Sequence, residues 1–377
     1  MSEDLRHLTR RELQVAVFIA SGLSDREVGE RLSITRRTAE WHVEQILAKL
    51  DLKSRSQIAT RVTRAEAFGS PLLPVGRSRR DVQPRLTAVI GFNAAVTREL
   101  LATTRSLDDA PFETDAARRD RLTALAEAGY NPVIATGVTY AVALGQIAKD
   151  YPNTQFAIVD DSSLSANNEN VTGLVFADHE GSYLVGAIAA QASRTGIIGF
   201  IGGVDIPQIR RFQAGYAAGA KAVRPNIKLH ATFLTEPPDF GGFCDRVKGK
   251  ASAACIYELG ADVVFHAAGG SGAGVFRAAA EAGALAIGVD SDQYMTASAD
   301  VRPSILTSMV KRVDDAVKDF LRACTEKAAH APVMTYDLAN GGVGYSKSNP
   351  LVQPYVAKTD DLQRQIISGK IRVPEKP

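Results

Sequence analysis

Acidic residues follow two short apolar runs in the second part of the chain. Asp160 and Asp161 follow QFAIV, and Asp290 and Asp292 lie at the end of ALAIGVDSD. Carboxylates can accept hydrogen bonds from sugar hydroxyls, and backbone amides at helix starts can donate to them. These acids are therefore candidates for holding a neutral ligand that carries hydroxyl groups.

The same four acids could instead act as the acid and base groups of an enzyme. They are not accompanied by a nucleophile and base pair, and the 6 histidines lack H-E-x-x-H or a comparable spacing. The sequence therefore favours a binding protein that is not an enzyme. It predicts no cofactor and no metal site.

Small and polar residues follow other apolar runs and are further candidate ligand contacts: Thr136, Gly137, Gly270 and Ser271. Gly269 to Gly274 superficially suggests a phosphate cradle. However, the Lys-Ser/Thr pair of a P-loop is missing and the Rossmann spacing is not met. Tight turns between strand and helix that line a neutral ligand are the favoured interpretation.

A second set of functional candidates lies on a helical pattern that runs from Arg36 to about Leu50. At about 100° per residue, one side carries Arg37, Trp41, Glu44, Gln45 and Ala48. The opposite side is apolar and can pack on Val15, Ile19, Val28 and Leu32; its residues are Ala39, Val43, Ile46, Leu47 and Leu50. An exposed face supported by a short second helix indicates a helix-turn-helix recognition helix. The alternative is a small helical bundle with a solvated face.

Glu40 and Glu44 could accept a hydrogen bond from cytosine N4, but neither can neutralise phosphate. Phosphate contacts are therefore expected from basic residues, namely Arg36, Arg37, Lys49, Lys53 and Arg55. The remaining DNA-binding candidates are Thr38, Trp41 and Gln45. Residues 1–84 carry 15 Lys and Arg against 11 Asp and Glu, so the positive charge lies in this part of the chain.

Helix starts around this pattern are marked by capping boxes, which satisfy the free amides of a first helical turn. They are Thr9-x-x-Glu12, Ser24-x-x-Glu27 and Ser54-x-x-Gln57, and Thr35 can cap the helix that begins at Arg36. The sequence therefore predicts four helices, in the order helix, helix, turn, helix, helix.

Beyond residue 84 the pattern changes to short apolar runs separated by helical stretches. The runs are LTAVIGF, PVIATG, QFAIVDD, GLVFA, IIGFIGG, IKLHATFL, ADVVFHAAGG, ALAIGVDSD and SILTSM. Such runs are typical of parallel strands buried on both faces, which predicts a doubly wound α/β fold with two lobes. In these folds ligands bind at the carboxyl ends of the strands.

The length of 377 residues fits two or three domains. We predict a DNA-binding domain at 1–65, a linker rich in Pro, Gly, Ser and Arg at 66–84, and a ligand-binding domain at 85–377. The N-terminus has no apolar segment of a signal peptide, and no run approaches 18 apolar residues. The 3 cysteines form no C-x-x-C pair. We therefore expect a cytoplasmic protein.

The N-terminal motifs resemble the LuxR-type (GerE-like) DNA-binding domain. They include Leu8-Thr9-x-x-Glu12, Gly22-Leu23-Ser24-x-x-Glu27-Val28 and Thr38-Ala39-x-x-His42-Val43-x-x-Ile46-Leu47. The resemblance implies that Glu40, Trp41 and Glu44 touch the major groove. Two of these positions are often basic in the family, so the two acids here are a departure.

Several ordered segments of the second part strongly resemble the basic membrane protein family, which includes a purine nucleoside receptor. They are 178–183, 199–215, 266–272, 287–293, 306–312 and 340–344. The resemblance implies a two-lobed periplasmic type I clamp that closes on a nucleoside. It implies that Asp290 or Asp292 binds ribose together with Lys311, and that Phe212 stacks on the base. Each residue also has a purely structural alternative: Asp290 could cap the following helix, Lys311 could lie at a solvated helix start, and Phe212 could belong to the core.

The first lobe departs from that family, because the usual Asp-x-Ser-Phe-Asn segment after the first strand is absent. Phe92 and Asn93 are the candidates to replace it. Together the two resemblances predict a one-component transcriptional regulator that senses a small molecule, a purine nucleoside being the first choice. We expect this regulator to bind a pseudo-palindromic operator as a homodimer. The other hypotheses are a constitutive DNA-binding protein with a dimerisation domain and the nucleoside-processing enzyme.

Overall fold

The computed structural model describes residues 8, 10–20, 23–32, 36–52, 54–68, 87–91, 104–107, 114–326 and 332–377. The N-terminal part contains the four predicted helices: α1 (Arg10–Ala20), α2 (Asp25–Leu32), α3 (Arg36–Lys49) and α4 (Arg55–Phe68). Ser24 and Glu27 form the predicted capping box, since the Ser24 amide donates to Glu27 Oε2 over 2.7 Å and the Glu27 amide to Ser24 Oγ over 3.4 Å. Helix α4 extends to Phe68, so its last turn occupies the start of the predicted linker.

The helical domain has its own apolar core, which confirms the predicted packing face of α3. Ala39 and Ile46 on α3 are fully buried, and they pack in one cluster with Val15 of α1 and Val28 of α2. Thr9 and the side chain of Leu32 lie outside the described residues. Because α3 buries one side against its neighbours, its opposite side remains open to a partner.

The first lobe is built on a six-stranded sheet in the order β11-β5-β4-β3-β1-β2. Its strands are β1 (Thr87–Gly91), β2 (Thr104–Leu107), β3 (Val133–Thr136), β4 (Phe156–Val159), β5 (Val171–Phe176) and β11 (Val333–Tyr336). All the pairs between these strands are parallel. Helices α5 (Asp115–Glu127), α6 (Ala141–Ile147) and α12 (Val313–Glu326) belong to this lobe.

The second lobe carries a six-stranded sheet in the order β12-β10-β9-β8-β6-β7. Its strands are β6 (Ile197–Val204), β7 (Lys228–Thr235), β8 (Val263–Ala267), β9 (Leu285–Asp290), β10 (Ile305–Lys311) and β12 (Val343–Tyr345). Its helices are α7 (Asp178–Ala192), α8 (Pro207–Val223), α9 (Arg246–Glu258), α10 (Gly272–Ala282), α11 (Gln293–Thr296) and α13 (Gln353–Ile367). Strand β12 runs antiparallel to β10, whereas the other pairs are parallel.

The two sheets have the same order of strands, so each site position in one lobe has a counterpart in the other. β4 and β9 are both third from the edge, and β5 and β10 are both second. The chain crosses from the first lobe to the second after β5, returns after β10 and crosses again between β11 and β12. The predicted two-lobed α/β architecture is therefore confirmed, and the carboxyl ends of β5 and β10 lie at crossovers.

Helices α7 and α8 pack unusually close together because glycines form their contact. A Cβ placed at Gly215 would lie 2.0 Å from the carbonyl oxygen of His179, and one at Gly219 would lie 1.9 Å from that of Tyr183. On α7, a Cβ at Gly186 would lie 2.1 Å from the carbonyl oxygen of Tyr216. Any side chain here would therefore push the two helices apart.

Within the described ranges, no helix is both long and apolar enough to cross a membrane.

Candidate functional site

Two predicted acids occupy equivalent positions at the ends of β4 and β9. Asp160 directly follows β4, and Asp290 is the last residue of β9. Both have positive φ angles, 72° for Asp160 and 66° for Asp290. Residues other than glycine seldom adopt this left-handed conformation, and such strain is often found at functional sites. The backbone therefore turns at the same point of each lobe to place a carboxylate.

Lys311 joins the two lobes. It is the last residue of β10, and its Nζ lies 2.6 Å from Asp160 Oδ1 of the first lobe. The same Nζ lies 3.3 Å from Asp178 Oδ1 at the start of α7. The Lys311 side chain is 2% exposed, so this ammonium depends on its carboxylate partners for compensation. These three groups are far apart in the sequence, so only the tertiary fold brings them into contact.

Aromatic rings from both lobes face the same ammonium. Lys311 Nζ lies 4.9 Å from the ring centroid of Phe176 on β5 and 5.6 Å from that of Phe212 on α8. Both distances fit cation–π attraction. Phe176 in turn stacks on Tyr336 of β11, with ring centroids 5.3 Å apart. The site therefore combines carboxylates, one ammonium and two rings where the lobes meet.

Burial changes the acid–base properties of this cluster. Burial, together with nearby Asp160 and Asp290, raises the pKa of Asp178 to about 7 despite the opposing effects of Lys311 and Arg211. Neither Asp178 oxygen has a hydrogen-bond partner among the described residues, and Arg211 Nη2 lies 4.0 Å away. Burial also raises the pKa of Asp290. Burial lowers the pKa of Lys311, but the three carboxylates outweigh it, so the net shift is upward.

These shifts predict how stability depends on pH. The pKa of Asp178 is about 7 in the folded protein, above its ordinary value of 3.8, so the stability it contributes is lost as the pH rises through about 7. We expect wild-type stability to fall more steeply between about pH 4 and pH 7 than that of Asp178→Asn. Lys311, Arg211, Asp160 and Asp290 remain in the variant, so its slope should be reduced rather than abolished.

Urea unfolding of both proteins at several pH values measures this difference. Asp300→Asn is a suitable control, because Asp300 forms a surface ion pair with Arg277 and its side chain is 53% exposed. Equal pH slopes for the wild type and Asp178→Asn would contradict the prediction.

The structure brings together four of the predicted ligand residues: Asp160, Asp290, Lys311 and Phe212. Three of the other predicted residues form hydrogen bonds outside this cluster. Asp292 Oδ1 accepts from Ser348 Oγ over 2.9 Å, Ser271 Oγ donates to the Gly242 carbonyl over 2.7 Å, and Thr136 Oγ1 to the Ile90 carbonyl over 3.3 Å. Gly137 and Gly270 lie in turns after β3 and β8, and Phe92 and Asn93 lie outside the described residues. The roles of all these residues stay predictions.

Three members of the cluster were not predicted: Phe176, Asp178 and Arg211. Asp178 belongs to a motif that carries the family resemblance, yet nothing in that motif indicates its burial beside Lys311. Phe176 could have been found, since it ends β5 and strand ends are where ligand contacts are expected. Its counterpart in the second lobe is Lys311 itself, at the end of β10.

The glycines after β8 are explained by packing. A Cβ at Gly272 would lie 1.9 Å from His266 Cε1, and one at Gly274 would lie 2.0 Å from the Arg246 carbonyl oxygen. These glycines let α10 approach β8 and α9 closely. The geometry therefore favours the tight turn over the phosphate cradle.

In the helical domain, the predicted outer face of α3 is accessible. Arg37, Trp41 and Glu44 are exposed, whereas Thr38, Glu40 and Gln45 are half-buried. Two of the predicted phosphate contacts make ion pairs inside the domain: Lys49 Nζ lies 2.7 Å from Glu12 Oε2, and Arg55 pairs with Asp25. The side chain of Arg36 and the whole of Lys53 lie outside the described residues.

Two α/β lobes with a charged cluster where they meet, preceded by a four-helix domain, define a class: proteins with the periplasmic-binding-protein fold and an added helix-turn-helix domain. Residues 92–377 match the family described as ABC transporter substrate-binding protein PnrA-like, and the chain belongs to this family. Residues 6–62 match bacterial regulatory proteins of the luxR family. Both resemblances noted in the sequence are confirmed.

Relatives of known name are similar to about two thirds of the chain. An ABC transporter nucleoside-binding protein, BmpA, of Lactococcus lactis subsp. cremoris is 38% identical over 267 residues, which is 66% of this chain and 72% of that protein. A CD4+ T-cell-stimulating antigen of Listeria monocytogenes is 36% identical over 280 residues, which is 70% of this chain and 76% of that protein.

Solved structures show the same fold. A solute-binding protein of an ABC transporter system from Aeropyrum pernix K1 has a TM-score of 0.64 at 22% identity, covering 77% of this chain and 94% of its own. A transcriptional activator of the comK gene from Bacillus halodurans has a TM-score of 0.61 at 20% identity, covering 77% of this chain and 99% of its own.

Proposed function

We propose that this protein is a one-component transcriptional regulator of the cytoplasm, in which the two-lobed domain senses a small molecule and the helix-turn-helix binds DNA. The observation that carries the proposal is the presence of both families in one chain, at residues 6–62 and 92–377. The division into 1–65, 66–84 and 85–377 forms part of this proposal. A regulator of this type combines sensor and output without a separate signalling partner.

We propose a purine nucleoside as the ligand. Ribose hydroxyls can donate to Asp160 and Asp290 and accept from Lys311, since carboxylates accept hydrogen bonds and an ammonium donates them. Phe212 lies beside Lys311, where its ring can face a base. The nucleoside-binding relative from Lactococcus lactis supports this ligand class.

The cluster at the crossovers offers a route from ligand to lobe movement. Lys311 and Asp178 each lie at the point where the chain passes between the lobes, after β10 and after β5. At the third crossover, the Leu338 amide donates to Glu180 Oε2 over 3.0 Å. A ligand that competes for Lys311 would change the relative stability of open and closed arrangements, and it can bias DNA binding only through that difference.

A titration of DNA binding with nucleosides tests the proposal. At saturating inosine, adenosine or guanosine, we expect the affinity of the full chain for its operator to change by about 5- to 150-fold, which corresponds to a coupling of about 1–3 kcal/mol. Fluorescence anisotropy with a labelled duplex measures the affinity. A pseudo-palindromic duplex should bind two copies of the chain, because each helix-turn-helix contacts one half-site.

Asp290→Asn separates sensing from DNA binding. This variant keeps the shape of the side chain but replaces a charged acceptor by a neutral amide, so the change in DNA affinity on adding nucleoside, measured from the variant's own ligand-free affinity, should be smaller than in the wild type. Asp300→Asn should respond like the wild type. Unchanged DNA affinity at saturating ligand would contradict the sensing role and favour the constitutive DNA-binding hypothesis, and release of free base would favour the enzyme.

A further inference from the structure

The open side of α3 carries a narrow row of four residues, which we name the α3 stripe: Arg37, Trp41, Glu44 and Ala48. Their spacing of four, three and four residues places them within about 60° of arc at 100° per residue. All four are exposed. Trp41 is 52% exposed, so its indole is accessible to a partner on this side of the helix.

The two acids of α3 differ in position. Glu44 is exposed and lies in the middle of the α3 stripe, whereas Glu40 lies at its flank and is half-buried. Glu40 also interacts with other residues of the domain. Glu44 is therefore the acid that is placed to meet a partner, in agreement with the exposed side expected from the sequence.

Two cations near α3 are engaged within the domain. Lys49 Nζ lies 2.7 Å from both carboxylate oxygens of Glu12, whose side chain is 5% exposed. Arg55 donates to Asp25 and to the Leu23 carbonyl. Both cations are therefore paired with carboxylates of the domain, and their side chains are 34% and 33% exposed.

We propose that Trp41 and Glu44 determine base specificity, Glu44 by reading a cytosine and Trp41 by reading a thymine in the same half-site. This inference rests on the proposed DNA-binding function. A carboxylate accepts from cytosine N4 in the major groove, and it is repelled by the acceptor atoms N7 and O6 of guanine. The thymine methyl group is the apolar feature of that groove, so the exposed indole of Trp41 matches it.

The spacing on the helix limits the spacing on the DNA. Trp41 and Glu44 are three residues apart, which is about 4.5 Å along a helix axis. Base steps in a strand are about 3.4 Å apart, so the two bases lie within about two steps of each other. Arg37, one turn before Trp41, lies where it can reach a guanine or a phosphate on the same side.

Selection from a random duplex library with the full chain, followed by sequencing, tests the proposal. The wild type should enrich half-sites that contain this cytosine and thymine. Glu44→Gln should change the preferred cytosine to adenine, because an amide both donates to N7 and accepts from N6 of adenine. Trp41→Ala should lose the thymine preference, and each change should alter discrimination at its own position by about tenfold.

Glu281→Gln on α10 is the matched control and should enrich the wild-type motif. Glu281 lies in the second lobe, and its side chain is 55% exposed. Because Trp41 and Glu44 are exposed, both variants should unfold at the wild-type temperature, which calorimetry checks. If the wild type enriches no duplex, the proposed regulatory function fails. If it enriches a motif that neither variant changes, DNA binding stands and base reading by Trp41 and Glu44 is overturned.

Discussion

Lys311→Met is expected to lower the free energy of unfolding of the two-lobed domain by about 3–5 kcal/mol, the usual effect of removing one partner of a buried ion pair. Methionine fills a similar volume but leaves Asp160, Asp178 and Asp290 without their shared cation. The first two carboxylates lie 2.6 Å and 3.3 Å from Lys311 Nζ. Burial already raises the pKa of Asp178 and Asp290, so losing the ammonium should raise both further.

Urea unfolding near pH 8 should show the full effect, since the acids are then most often ionised. The cost should be smaller near pH 6, where protonation removes the uncompensated charge. Lys250→Met is the matched control: Lys250 pairs with Glu281 over 2.8 Å, but its side chain is 43% exposed. Exposed pairs contribute at most about 1 kcal/mol. Equal losses for the two variants would contradict the prediction that Lys311 holds the cluster together.

The sequence predicted which strand ends would carry the site, but it could not show how their side chains pair. Asp160 and Asp290 follow apolar runs, and parallel strands place such residues at one edge of a sheet. Lys311 and Asp160 are 151 residues apart, and their contact depends on how the lobes meet. Asp178 was missed for a related reason, because its burial arises from α7 packing at a crossover.

The fold was predicted wherever strands are buried on both faces. The run FAIV is β4, and its four residues are all buried. The strands that were missed are the edge strand β2, with sequence TRSL, and two short strands, β11 and β12. Each of them is interrupted by a polar residue or a glycine, namely Arg105 and Ser106 in β2, Thr335 in β11 and Gly344 in β12, so none contains an apolar run. Edge strands bury less surface and therefore leave a weaker pattern.

The helical domain was predicted more completely, because capping and helical periodicity act over a few residues. Helix α3 begins at Arg36 as predicted and ends at Lys49, one residue before the predicted end. The ion pairs of Lys49 and Arg55 could not be predicted in this way, since their partners lie 37 and 30 residues away. Helix caps and periodicity therefore predict which residues of α3 lie on its surface, whereas tertiary contacts decide how charged side chains such as Lys49 and Arg55 are paired.

Gly215→Ala is expected to have the second largest effect, because it acts on the spacing of the two helices that carry Asp178 and Phe212. A Cβ at Gly215 would lie 2.0 Å from the His179 carbonyl oxygen, which is backbone and cannot rotate away. Overpacking of this kind costs about 1–3 kcal/mol or more, whereas alanine gains only about 1 kcal/mol over glycine in a helix. We therefore expect a net loss of about 1–2 kcal/mol in the free energy of unfolding, since the 2.0 Å contact places the cost in the upper part of its range.

Gly145→Ala on α6 tests whether steric contact or helix propensity decides the outcome. A Cβ at Gly145 would meet Leu164 Cδ2 at 2.9 Å, and this methyl group is the end of a flexible side chain that can move. Helix propensity should therefore dominate, and Gly145→Ala should be neutral or more stable by up to about 1 kcal/mol. If Gly215→Ala also proved neutral, α7 and α8 would be free to separate. The position of Phe212 beside Lys311 would then depend on contacts other than the glycine interface.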